Sequence, residues 1–161
     1  MLGVLLLLAS LATFAGDPKK AAAKEVAKEV ILENAYKNIS VAESMNVVFV
    51  SDASSTLNVK GEQKFVDNVS LTVVNGTLFV SLPEKLKNLK GTVYIPVRPN
   101  LNQIDVAANA KVNSKGFLNC RNLTVFIGDG AYAHLKNRGT MQIKPAEHTQ
   151  LEFEKYEEIK E

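Results

Sequence analysis

Tryptophan is missing from this 161-residue sequence, cysteine occurs once and histidine only twice. With Cys120 alone, an intramolecular disulfide framework is excluded. His134 and His148 have no histidine or cysteine partner at ligand spacing, so no metal site and no cofactor is expected. Charge of one sign is lacking too. Nineteen Lys and Arg face seventeen Asp and Glu, for a net +2, which leaves no electrostatic footprint for nucleic acid. No apolar run reaches the ~20 residues of a membrane-spanning helix. Phosphate-cradling loops and dinucleotide glycine patterns are absent; Gly128-Asp-Gly130 reads as a turn.

What is present is a short pattern that occurs twice. Ile104-Asp-Val106-Ala-Ala-Asn109-Ala110-Lys-Val112 lies over Val125-Phe-Ile127-Gly-Asp-Gly130-Ala131-Tyr-Ala133 at an offset of 21 residues (125 − 104). Each copy alternates apolar and polar residues, turns on a small or φ-permissive residue, and alternates again. Period-two alternation places Ile104, Val106, Ala110 and Val112 on one face, with Val125, Ile127, Ala131 and Ala133 on the matching one. Two short strands and a corner, repeated near every twenty residues, predict an all-β fold of β-solenoid type, a single-stranded right-handed β-helix. An antiparallel β-sandwich is the alternative, and it fits residues 30–97 equally well.

The first sixteen residues contain no charged side chain. Leu2 to Leu11 reads as the apolar region of a secretory signal, and Thr13-Phe-Ala15 places small residues at the sites preceding cleavage before Gly16. Residues 1–15 are therefore expected to be a signal peptide. Residues 16–29 follow as a spacer or short helix, with Asp17 as N-cap, Pro18 in the first turn and an Ala/Val stripe. A β domain is expected over 30–153 and a loose acidic tail over 154–161.

Within that domain, Val74-Asn75-Gly76-Thr77 between two β-rich runs is a two-residue hairpin signature, because both turn residues need positive φ. Thr92-Val-Tyr-Ile-Pro96-Val97 is the next strand, with Pro96 limiting it to an edge or an irregular rung. Residues 140–143 and 149–153 supply one more pair of strands. No helix of consequence is expected after Val30.

Tyr36-Lys-Asn-Ile39-Ser-Val41, Met45-Asn-Val-Val-Phe-Val50, Val74-Asn-Gly-Thr-Leu-Phe-Val80 and Val93-Tyr-Ile-Pro-Val-Arg-Pro99 resemble successive strands of the auto-transporter adhesin head domain, or GIN domain. Asn109-Ala110 and Gly130-Ala131 are similar to that family's small-residue corners, and the likeness covers Tyr36 to Phe153. The resemblance implies an exported envelope protein of a Bacteroidetes-like Gram-negative bacterium, with a β-solenoid-like fold and no established activity. No cysteine follows the apolar leader, so the expectation is a periplasmic or envelope protein without a lipid anchor.

Candidate chemistry is sparse. Cys120 lacks a local base and reads as core. Asp105, Asp129 and Glu147 are the carboxylates from which a glycosidase-like pair would be drawn. Turn geometry explains Asp129, however, and strand alternation explains Asp105. No catalytic residue is assigned, and a polysaccharide-active β-helix enzyme using Asp105 or Asp129 is the alternative. A structural or stress-response partner of another envelope protein is a third reading. Stacking the two repeats aligns Lys111 with Tyr132 and Asn113 with His134. Lys111, Tyr132 and His134 are therefore the candidate binding residues, for an envelope glycan or a protein surface.

Overall fold

The computed structural model describes residues 24–155, which form thirteen strands in two mixed sheets. Sheet A runs β1(Glu25–Ile31), β4(Thr56–Glu62), β7(Gly91–Val97), β3(Asn46–Ser51), β9(Lys111–Lys115), β11(Tyr132–Asn137), β13(Gln150–Lys155). Sheet B runs β12(Thr140–Pro145), β10(Asn122–Ile127), β8(Gln103–Val106), β2(Asn38–Val41), β6(Thr77–Ser81), β5(Ser70–Val74). The chain alternates between them. It crosses sheet B, turns, returns along sheet A, and lays each new strand parallel to an earlier one. In sheet B the parallel series is β6-β2-β8-β10-β12, and in sheet A it is β7-β3-β9-β11-β13. The antiparallel pairs β1-β4, β4-β7 and β5-β6 finish the other end.

Period two decides what goes inside. Ile39, Val41, Ile104, Val106, Val125 and Ile127 from sheet B meet Val47, Phe49, Val112, Ala133 and Leu135 from sheet A in one buried cluster. The expected offset is the observed register, with Val125 beside Ile104 and Ala133 beside Val112. Four corners of equal length join the sheets, at residues 42–45, 107–110, 128–131 and 146–149. The third residue of each adopts the left-handed region: Ser44, Asn109, Gly130 and His148 at φ 59°, 57°, 66° and 57°. The corners stack tightly enough that a side chain on Gly128 would meet the backbone nitrogen of Ala108 at 2.8 Å. The hairpin at Asn75 and Gly76 also forms as expected, with φ of 49° and 74°.

Four expectations are corrected. Residues 25–29 are not helix: Glu25–Ile31 is strand β1, paired at all seven positions with β4. The open edge of β4 supplies a partner for every residue, and this outweighs a helical preference already weakened by like charges four residues apart. The first described strand therefore begins at Glu25, and the leader and most of the rest of the expected spacer lie outside the described residues. At the other end, Glu154 and Lys155 belong to β13 and not to a tail. Pro96 does not mark an edge, since β7 lies between β4 and β3. Pairing with β4 ends at Tyr94, so no bond to β4 is asked of Pro96. Finally, α1(Gln63–Asn68) was not anticipated; it buries Phe65 and Val66 against the end of the core.

Candidate functional site

The outer face of sheet A brings the three candidate residues together. Lys111 on β9 is the register partner of Tyr132 on β11, and Asn113 that of His134. Both pairs follow from alternation, since Val112, Ala133 and Leu135 between them are fully buried. Lys111 is exposed, Tyr132 and His134 are half-buried, and His134 Nδ1 lies 3.9 Å from Glu152 on β13.

The row continues in the other direction through residues that sequence reasoning missed. Asn46 on β3 is the neighbour of Lys111, and its amide donates to the Thr92 hydroxyl on β7 at 2.9 Å. Thr92 faces Lys60 on β4, whose ammonium sits 5.2 Å from the centre of the Tyr94 ring. Lys60, Thr92, Asn46, Lys111 and Tyr132 thus form one line across five strands, with Tyr94 and His134 in the next line. A groove of about 690 Å³ opens beside it, bordered by Lys60, Lys90 and Lys111 and by Glu25 and Glu62. The missing signal lay in β2 and β3. Ile39, Val41 and Val47 precede Ile104, Val106 and Val112 by a constant 65 residues (104 − 39), which makes them a third copy of the pattern.

The carboxylates do not converge. Asp105 faces outward on sheet B, and its two oxygens accept from the Gln103 amide at 2.9 and 2.8 Å. Asp129 sits in an exposed corner, 3.3 Å from His148. Glu147 is exposed in the next corner. Among the described residues, no cluster of three His, Cys, Asp or Glu side chains could hold a metal. Cys120 is buried, and burial pushes its thiol up to about 11, away from the reactive thiolate. Phe79, 44% exposed, and Phe126, beneath the Lys144 ammonium at 4.8 Å, stand on the outer face of sheet B.

Residues 35–157 match the family described as "Putative auto-transporter adhesin, head GIN domain". The chain belongs to this family. No curated protein matches the sequence. Solved structures similar to this GIN-domain chain include a putative adhesin from Bacteroides fragilis NCTC 9343, at 18% identity and TM-score 0.56. A second is a putative adhesin from Parabacteroides merdae ATCC 43184, at 10% identity and TM-score 0.53. The alignments cover 76% of this chain in both cases, but only 62% and 52% of those proteins. At such identities the likeness speaks for the fold, so the GIN-domain chain shares an all-β scaffold with these proteins. No helix among its described residues is long and apolar enough to cross a membrane.

Proposed function

We propose that this GIN-domain chain is an exported, non-catalytic envelope module of adhesion type. Its strands stack as a β-solenoid of two strands per turn, and it binds a glycan or protein surface on the outer face of sheet A. The observation that carries the reading is the unbroken line from Lys60 to Tyr132. It places two cations, an amide and a hydroxyl along the rim of the 690 Å³ groove and continues, on the strand beside Lys111, to the half-buried ring of Tyr132. Adjacent strands hold these groups at about 4.8 Å intervals on a rigid sheet, so little ordering is left to be done on binding. An aromatic body with polar groups beside it suits a ligand that offers both an apolar face and hydroxyls or amides.

Export is supported by the uncharged apolar run before Gly16. A non-catalytic role is supported by the separation of the carboxylates: Asp105 is held by Gln103, and Asp129 stands alone in its corner with His148.

The test is a binding screen against glycans and envelope extracts, run with wild type, Tyr132→Ala, Lys111→Ala and Asp105→Asn. Tyr132→Ala should weaken capture about tenfold, as loss of a central aromatic contact commonly does. Lys111→Ala should weaken it less, and Asp105→Asn should not change it. Wild-type capture by both sheet A variants would refute the assigned face. Release of cleaved product that Asp105→Asn or Asp129→Asn abolishes would replace the module by an enzyme.

A further inference from the structure

The two ends of the paired sheets are finished differently. At the β1/β4 end, α1 closes the core: Phe65 and Val66 are buried, and a side chain on Gly91 would collide with the Phe65 ring. At the other end, β12 and β13 are the last strands of their sheets, each paired on one side only among the described residues. Met141 and Ile143 continue the inward rows of Leu123 and Val125, and Leu151 and Phe153 those of Ala133 and Leu135. The preceding residues are at most 1% exposed, whereas Leu151 is 36% exposed and the other three are half-buried. A cavity of about 420 Å³ opens among Met141, Ile143 and Phe153. Apolar side chains and two unpaired strand edges therefore share one surface, the combination that templates strand addition.

We propose that a second copy of this chain docks on this end, so that sheet A of each copy continues into sheet B of the other. Charge chooses the occupant and its orientation. The chain crosses sheet B and returns along sheet A, so β12 and β13 run in opposite directions. A two-fold axis parallel to the strands lays β13 on β12 of the second copy, antiparallel, and makes the same contact twice, as an isologous interface requires. With inward residues facing inward ones, Phe153 stands opposite Ile143 of the second copy and Glu152 opposite its Lys144. The other two-fold arrangement, β13 on β13, sets Glu152 against Glu152 when Leu151 meets Phe153. Like charges directly opposite are unfavourable and opposite charges favourable, so between these two registers charge favours the crossed arrangement. The groove of the proposed ligand face lies away from this contact, although His134 of that face neighbours Glu152 on β13; the dimer does not depend on that reading.

Analytical ultracentrifugation of the purified chain over a concentration series tests it. Wild type should show a reversible monomer–dimer equilibrium. Lys144→Glu places two carboxylates opposite each other at both symmetric positions and should raise the dissociation constant about tenfold. The double variant Lys144→Glu/Glu152→Lys restores the opposite charges and should return it to within about threefold of wild type. Leu151→Glu, at an exposed edge position, should give a folded monomer by circular dichroism. A chain ending at Lys155 should still dimerise. A strictly monomeric wild type, a dimer indifferent to these charges, or a dimer appearing only after truncation would overturn the proposal; the last outcome would make residues 156–161 the occupant.

Discussion

Asn137 is the one buried polar side chain among the described residues, 1% exposed at the inward-facing end of β11. It behaves as a piece of backbone. Its carbonyl oxygen accepts from the Cys120 N–H at 3.0 Å, and its amide donates to the Cys120 carbonyl at 3.0 Å. The segment from Gly116 to Arg121 crosses from sheet A back to sheet B, and this amide satisfies a peptide unit there that has no strand to pair with. Replacing Asn137 with Leu keeps the volume but leaves both Cys120 groups without partners. Each orphaned buried group costs about 1–3 kcal/mol, so about 2–6 kcal/mol is expected in total. That is a large share of the ~5–15 kcal/mol by which domains of this size are stable. Cys120→Ala keeps the backbone bonds and should cost only about 1 kcal/mol. Asn137→Asp keeps the acceptor but turns a carboxylate toward the Cys120 carbonyl. Its destabilisation should shrink as pH falls, because the protonated acid donates again. Urea unfolding at constant m-value reads all three. An Asn137→Leu midpoint within about 0.5 kcal/mol of wild type would refute the account.

Gly76→Val places a β-branched residue at φ 74° in the β5–β6 turn and should cost about 1–3 kcal/mol, read by thermal melting. Cys120, buried with its thiol raised to about 11, should resist alkylation at pH 8 in the native chain and react promptly in denaturant. Tyr36, whose hydroxyl donates to the Pro96 carbonyl, is raised to about 12 by burial. Its contribution is complete below pH 10, the ordinary tyrosine value, and is lost as pH rises through 12, so Tyr36→Phe should flatten the fall in stability across that window. An identical alkaline profile in the variant would remove Tyr36 as the cause.

The second half of the chain was legible because its periodicity is local. Ile104 to Ala133 carries both strands and both corners of two successive turns within thirty residues, so alignment alone yields the Lys111–Tyr132 and Asn113–His134 neighbours. The first half was harder to read for a physical reason. Asn46, Thr92 and Lys60 reach the candidate site from β3, β7 and β4, which become neighbours only through long-range pairing. Nothing within a short window announces that β3 will lie between β7 and β9. Strand β1 shows the same limit. Its Ala27, Lys28 and two glutamates favour helix in isolation, and only the vacant edge of β4 makes it a strand.

That placement of β2 and β3 bears on how the molecule folds. They are early in the chain, yet each sits between strands synthesised later: β2 between β6 and β8, and β3 between β7 and β9. As the polypeptide emerges N-terminus first, Ile39, Val41, Val47 and Phe49 have none of the parallel strands beside which they end until residues 77–115 follow. Assembly cannot zip forward from the start. It must close a long loop to set β6 and β7 on one side of this pair, and only then add β8 through β13 in sequence order. Folds dominated by such distant pairings are slow to form, and they leave apolar edges open in the meantime. The middle of the finished structure is thus laid down early yet waits for its neighbours, and refolding should be limited by the arrival of β6 and β7.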